Sequence, residues 1–261
     1  MTSLPTDRML SRMRAGQVAM GLGLRQARTA DIGRAMATAG CDWLFIDMEH
    51  NAMGLDVATQ IAVAAQDAGV TPLVRVPAGD HAMACRALDG GAMGIVMPHV
   101  DSPSQAQAFA RACRYPPRGK RSMASGIPQT AFASMPLAQA VELTEPRILL
   151  LPMIETRAAA QQVREIARTP GIDGLLLGMT DLSMEFGLPG EVGHEQLRAV
   201  VQETVQACRD HGLWVGLGGV ADPVLARDYA SQGLNFVLLG NDLGLLMAAV
   251  SARIAAIAGH H

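Results

Sequence analysis

Ile148-Leu149-Leu150-Leu151-Pro152-Met153-Ile154-Glu155-Thr156, followed after a polar helical segment by Gly174-Leu175-Leu176-Leu177-Gly178-Met179-Thr180-Asp181-Leu182-Ser183, decides how this chain folds. Each half is an apolar run of strand length that closes on a carboxylate, Glu155 in one and Asp181 in the other. Runs without polar alternation suit strands buried on both faces, as in a parallel sheet covered by helices. Parallel neighbours joined by a helix point their carboxyl ends the same way, so the two acids are expected side by side at one rim. Carboxylates that close repel unless a proton or a cation lies between them. A divalent ion meets that need.

Outward from this stretch the same alternation recurs. Apolar runs fall at 18–22, 43–47, 73–76, 94–97, 148–154, 174–177, 213–217 and 236–239. Ala-rich segments with helical spacing lie between them, at 31–39, 57–68, 81–88, 104–113, 157–168, 194–211 and 223–231. Several of these end at a glycine before the next run, as at Gly40, Gly69, Gly212 and Gly233, the expected left-handed helix cap. Strand then helix, repeated, makes a parallel sheet, and eight such units favour a closed (β/α)8 TIM barrel over an open doubly wound sheet. A chain of 261 residues with 49% hydrophobic content fits one such domain, taken as 1–259, with His260 and His261 read as a tag remnant.

Composition removes several functions. A formal charge of −3 gives no basic field for nucleic acid, and 3% aromatic residues offer few stacking platforms. No apolar run reaches spanning length, and residues 1–14 are too charged for a signal peptide. Cys41, Cys85, Cys113 and Cys208 are widely spaced, which suits reduced thiols and a cytoplasmic location better than disulfides or a zinc site.

One connection breaks the rhythm. Between the fourth and fifth strands the chain runs through Tyr115-Pro116-Pro117-Arg118-Gly119-Lys120-Arg121-Ser122 and on to about Thr144. Such a loop is either a rigid turn reaching over the carboxyl rim or an excursion that contacts a partner subunit.

In a barrel of this kind the active site lies at the carboxyl ends of the strands. Those ends deliver Gly21-Leu22-Gly23, Asp47-Met48-Glu49-His50, Arg75, Pro98-His99, Glu155, Asp181 and Gly216-Leu217-Gly218-Gly219. Acids, histidine and arginine together make a catalytic inventory. Taken singly they have plainer roles: Asp181 as a helix cap, Glu155 as a complement to a helix dipole, His50 as a structural histidine. His99 is the close competitor of His50. Gly21 and Gly23 lack the third glycine of a dinucleotide fingerprint, because Gln26 stands there. Lys120 is the only lysine and lies in the long loop, so an imine mechanism has no lysine over the barrel mouth and carbonyl activation falls to a Lewis acid held by Glu155 and Asp181.

The segments Trp43–Asp47 with Met48-Glu49-His50, Arg75-Val76-Pro77, Leu88-Asp89-Gly90-Gly91-Ala92, the Tyr115 to Arg121 loop, Ile154-Glu155-Thr156 and Gly178-Met179-Thr180-Asp181-Leu182-Ser183 together resemble the HpcH/HpaI aldolases, the metal-dependent class II pyruvate aldolases. The likeness runs in order over nearly the whole chain. It implies a (β/α)8 barrel that cleaves or forms 4-hydroxy-2-oxo acids, with pyruvate and an aldehyde as products, and a hexamer with exchanged C-terminal helices. It makes Glu155 and Asp181 ligands of Mg²⁺, Mn²⁺ or Co²⁺. It makes His50 the acid/base residue, with Asp47 in its dyad and Asp89 raising its basicity, and Arg75 the stabiliser of the enolate. The backbone of Gly178, Met179, Thr180 and Asp181 would hold the substrate carboxylate. Three positions depart from the family pattern: Met153 in place of glutamine, Gly178-Met179 in place of Gly-Pro, and Arg121-Ser122 in place of Arg-Gly. Two other readings stand beside this one. An acyl-CoA carbon–carbon lyase on a related barrel would use the cluster Arg111, Arg114, Arg118, Lys120 and Arg121 for phosphates. A non-catalytic metabolite-binding barrel would keep the fold without the chemistry.

Overall fold

Eight strands, each parallel to its neighbours, close into a barrel in sequence order: β1 (Ala19–Leu24), β2 (Trp43–Asp47), β3 (Thr71–Arg75), β4 (Gly94–Met97), β5 (Leu149–Ile154), β6 (Gly174–Gly178), β7 (Trp214–Gly218) and β8 (Phe236–Asn241). The computed structural model describes residues 7–258, so the expected tag residues His260 and His261 lie outside it. β8 returns to pair with β1, with Ala19 opposite Phe236. The helices following β1 to β4 are α2 (Asp31–Ala39), α3 (Leu55–Asp67), α4 (His81–Asp89) and α5 (Pro103–Cys113), and α1 (Arg8–Arg14) precedes the barrel. Gly40, Gly69, Gly212 and Gly233 all have positive φ, as the cap reading requires.

Two apolar clusters divide the core. The larger lies between strands and helices; the smaller fills the barrel itself, with Trp43, Phe45, Leu73, Val96, Leu151 and Phe236 inside and Met9, Leu10 and Met13 of α1 packed beneath. Trp43 and Phe236 meet edge to face at 5.5 Å. Each is accommodated by a glycine on the neighbouring strand. A Cβ on Gly21 would lie 2.2 Å from the Trp43 ring, and one on Gly216 would lie 2.0 Å from the Phe236 ring.

The remaining α-helices are α6 (Leu137–Thr144), α7 (Arg157–Gln161), α8 (Val163–Ala167), α9 (Met179–Glu185), α10 (Glu195–Asp210), α11 (Pro223–Ser231) and α12 (Asp242–Ala258). The helix expected over 157–168 is therefore two, broken at Gln162, whose side-chain amide donates to the Asp101 carbonyl at 2.8 Å. The long connection corrects one of its two readings. It does not reach over the carboxyl rim: Gln129 donates to the Leu88 and Ala92 carbonyls, and Arg121 pairs with Asp89, all around the α4–β4 turn at the amino end. All four cysteines are free thiols. Among the described residues no helix is long and apolar enough to cross a membrane.

Candidate active site

Strand register builds the first part of the site. Asp47 and Arg75 end β2 and β3 directly opposite one another. Arg75 Nε donates to Asp47 Oδ1 at 3.0 Å and Nη2 to Oδ2 at 2.7 Å, a two-pronged pair. Asp47 Oδ1 also accepts the backbone N–H of Glu49 at 3.0 Å and of His50 at 3.3 Å. Burial opposes ionisation of Asp47, but the guanidinium and these two amides outweigh it and hold the carboxyl below its ordinary range. Arg75 Nη1 lies 3.1 Å from Glu49 Oε2, and the guanidinium sits 5.0 Å over the Phe45 ring. The fork is locked on three sides.

This arrangement corrects the expected dyad. Asp47 faces Arg75 rather than the His50 imidazole, whose nearby carboxylate is Glu49, with Nε2 3.7 Å from Oε2. Asp89 is also elsewhere. α4 runs away from the rim, so its last residue lies at the other end of the barrel, paired with Arg121 at 2.7 Å. Within one chain it does not meet His50.

The second part comes from β4, β5 and β6. Glu155, following β5, is 1% exposed, and its Oε1 accepts the backbone N–H of His99 at 2.8 Å. His99 holds φ at 51°, a left-handed conformation uncommon outside glycine, which turns its amide onto that carboxylate. Its imidazole lies between two acids, with Nδ1 3.7 Å from Glu155 Oε1 and Nε2 3.9 Å from Glu49 Oε1. Burial pushes the Glu155 carboxyl up, and Asp181 adds to that through like-charge repulsion, while the His99 amide and ring work against it. Asp181 is in the first turn of α9 rather than at the tip of β6, which ends at Gly178. Gly178 sits where a Cβ would fall 2.8 Å from Glu155 Oε2, so the strand end approaches the carboxylate because it has no side chain. Gly219, with φ of 85°, leaves similar room against the backbone nitrogens of Met179 and Thr180.

Part of this set opens onto a cavity of about 270 Å³ at the carboxyl end. Asp47, His50, Arg75, Met153 and the run from Gly178 to Asp181 line it, with Arg25 and Asn241 from the β1 and β8 ends. Sequence reasoning ranked His99 below His50 and did not select Glu49, Arg25 or Asn241. The available signal was position: Arg25 directly follows a barrel strand, Asn241 closes one, and Glu49 and His99 each stand two residues past one. Lys120 is exposed and donates its backbone N–H to Arg111 at the amino end. Three arginines of the basic cluster around it are paired with acids: Arg114 with Asp173 and Glu145, Arg118 with Glu145, Arg121 with Asp89.

Comparison with known proteins finds relatives over nearly the whole chain. The model of the HpcH/HpaI aldolase/citrate lyase family matches residues 25–249. A 4-hydroxy-4-methyl-2-oxoglutarate aldolase of Chaetomium globosum is 35% identical over 254 residues, covering 95% of this chain and 94% of that protein. A hydroxypyruvate/pyruvate aldolase of Sagittula stellata is 34% identical over 252 residues, covering 96% and 97%. Among solved structures, an HpcH/HpaI aldolase from Desulfitobacterium hafniense superposes with a TM-score of 0.91 at 27% identity, covering 99% of this chain and 98% of that one.

Proposed function

Since the chain belongs to the HpcH/HpaI aldolase/citrate lyase family and is a carbon–carbon lyase, we propose that it is a divalent-metal-dependent aldolase that reversibly cleaves 4-hydroxy-2-oxo acids to pyruvate, or a related 2-oxo acid, and an aldehyde. The observation that carries this reading is the buried Glu155 carboxylate, near enough to Asp181 for like-charge repulsion, with Asp181 in the wall of the cavity that Arg75 also lines.

The donor set fits a hard cation. Glu155 and Asp181 supply oxygen, and ions such as Mg²⁺ are held by one or two carboxylates with water and substrate oxygens in the other positions. A Glu155 carboxyl pushed up by burial and by Asp181 is one that a cation would stabilise in its charged form. Mg²⁺, Mn²⁺ and Co²⁺ all suit this set. When bound, the ion supplies Lewis-acid polarisation of the C2 carbonyl.

The remaining work belongs to the chain. Arg75 offers a fixed positive charge to oxygen on C2 as negative charge develops there, and its contacts with Asp47 and Glu49 keep it from following the substrate. Amides at the opening of α9, from Gly178 to Asp181, receive the substrate carboxylate. In cleavage the C4 hydroxyl gives its proton to the half-exposed His50 and becomes the aldehyde carbonyl. The C3–C4 bond breaks, its electron pair passes to the enolate, and a proton is returned to C3; condensation runs the same steps in reverse. Met153 contributes an apolar surface to this wall in place of an amide.

The paired arginines at the amino end weaken the acyl-CoA reading, because they are far from the cavity and already neutralised. The converged cavity weakens the non-catalytic one. We read the protein as cytoplasmic, in keeping with its free thiols. A homo-oligomer, a hexamer by family likeness, is supported by α12, whose Leu246, Met247, Val250, Ile254 and Ile257 are all exposed. The test is turnover of pyruvate with simple aldehydes: chelation should abolish it, Mg²⁺, Mn²⁺ or Co²⁺ should restore it, and borohydride with pyruvate should trap no adduct. Full activity in a chelated, metal-free sample, or an adduct on Lys120, would overturn the reading.

A further inference from the structure

Two of the four thiols stand side by side on neighbouring helices, outside the catalytic cavity. α4 and α5 follow successive strands, so both run from the rim toward the amino end, and they pack against each other. The His81 and Phe109 rings stack across that contact at 6.5 Å. Four residues further along each helix, about one turn on, come Cys85 and Cys113. Cys85 Sγ donates to the Ala112 carbonyl at 3.3 Å, and the Cys113 thiol lies within hydrogen-bonding reach of it. Cys85 is partly exposed, whereas Cys113 is wholly buried. Arg121 places its charge near both sulfurs: its Nη2 donates to Asp89 at 2.7 Å, while its buried Nε has no hydrogen-bond partner.

The two sulfurs are unequal. The Cys113 hydrogen bond and the Arg121 charge bring the Cys85 thiol down to about 7, against burial and Asp89, so roughly half of it is thiolate near neutrality. The same hydrogen bond, with burial, pushes Cys113 up and keeps it protonated. Burial also pushes up Cys41 and Cys208, which leaves them inert.

We propose that Cys85 and Cys113 are a redox modification site, closing to a reversible disulfide by reaction with a peroxide, with Cys85 as the attacking sulfur and Cys113 as the resolving one. The Cys85 thiolate attacks one peroxide oxygen, the O–O bond breaks, and the departing oxygen takes a proton and leaves, leaving Cys85 as a sulfenic acid. Cys113 sulfur then attacks Cys85 sulfur, the S–O bond breaks, and the hydroxide leaves as water with the Cys113 proton. Two electrons pass from the thiols, and hydrogen peroxide becomes two waters. The bridge fastens the last residue of α5, where the long connection begins, to the middle of α4.

The experiment exposes the full-length protein to a small molar excess of hydrogen peroxide, quenches with catalase, then alkylates the thiols under denaturing conditions and maps them by mass spectrometry. Free thiols are expected to fall from four to two, with the peptides carrying Cys85 and Cys113 joined, and a dithiol reductant should return all four. In Cys113→Ser, Cys85 should stop at the sulfenic acid, which dimedone labels. In Cys85→Ser, neither label nor bridge should form at the same dose. The wild-type map carries the test if either serine variant does not fold. Four free thiols after treatment, a bridge to Cys41 or Cys208, or Cys85 oxidised to a sulfinic acid with Cys113 still free would overturn the proposal.

Discussion

Arg75 has two duties that a single substitution separates poorly. It places positive charge where an enolate oxygen would form, and it neutralises Asp47, which is 2% exposed. Arg75→Ala should therefore lower kcat by roughly 10²–10³, the cost of losing one fixed oxyanion donor. It should also lower stability by about 3–5 kcal/mol, because a buried carboxylate loses its partner. Steady-state kinetics and denaturant melts on the same sample check both; near-native turnover would remove Arg75 from the mechanism. Which carboxylate serves which base was not legible in the sequence. The family likeness implied a dyad of Asp47 with His50, whereas in this chain the partner of a strand residue is set by register and lies one strand over. The inventory at the strand ends was legible, because every barrel strand must end at the same rim.

At the level of elements, all eight strands could be read from apolar runs, and the errors lie at their ends. β1 and β8 extend to Leu24 and Asn241, past where apolarity stops, since ladder pairing continues through glycine and asparagine. The short helix α9 was hidden inside a motif read for its acid. Of the two readings of the long connection between α5 and β5, the one that took it over the rim fails for a topological reason: a link from a helix back to a strand lies at the amino end, and only links from strand to helix reach the rim. Glycine placement inside the barrel gives a measurable consequence. Gly216→Ala would push a methyl group to 2.0 Å from the fully buried Phe236 ring. We expect about 1–3 kcal/mol of destabilisation from overpacking, read by urea melts, with catalysis in the surviving folded fraction intact. A neutral effect would show that the ring has room to turn.

For the whole molecule, α12 and the barrel seam matter most. α12 buries no residue in one chain and presents Leu246, Val250, Ile254 and Ile257, a pattern suited to a second copy. Leu246→Asp together with Ile254→Asp should shift sedimentation toward the monomer; unchanged sedimentation would leave that face without a role in assembly. Beside it, Asp242 joins the end of β8 to the turn after β1. Burial opposes its charge, but the backbone N–H groups of Arg25, Ala27 and Gln26 and that of Leu243 hold its pKa below the ordinary value. A depressed folded pKa gives stability that is present above the unfolded value of about 3.9 and is lost as pH falls through the folded one. The stability lead of wild type over Asp242→Asn should thus be complete near neutrality and shrink below about pH 4 in melts at graded pH; a lead that does not change with pH would rule this out. The seam also orders events while the chain is being made. β8 pairs with β7 and β1 at once, so until its residues leave the ribosome the nascent sheet has seven strands and two open edges. Unpaired edges are what recruit strands from other molecules. The newborn protein is most vulnerable to clumping just before its last strand arrives, and a chaperone that shields those edges would be needed only until then.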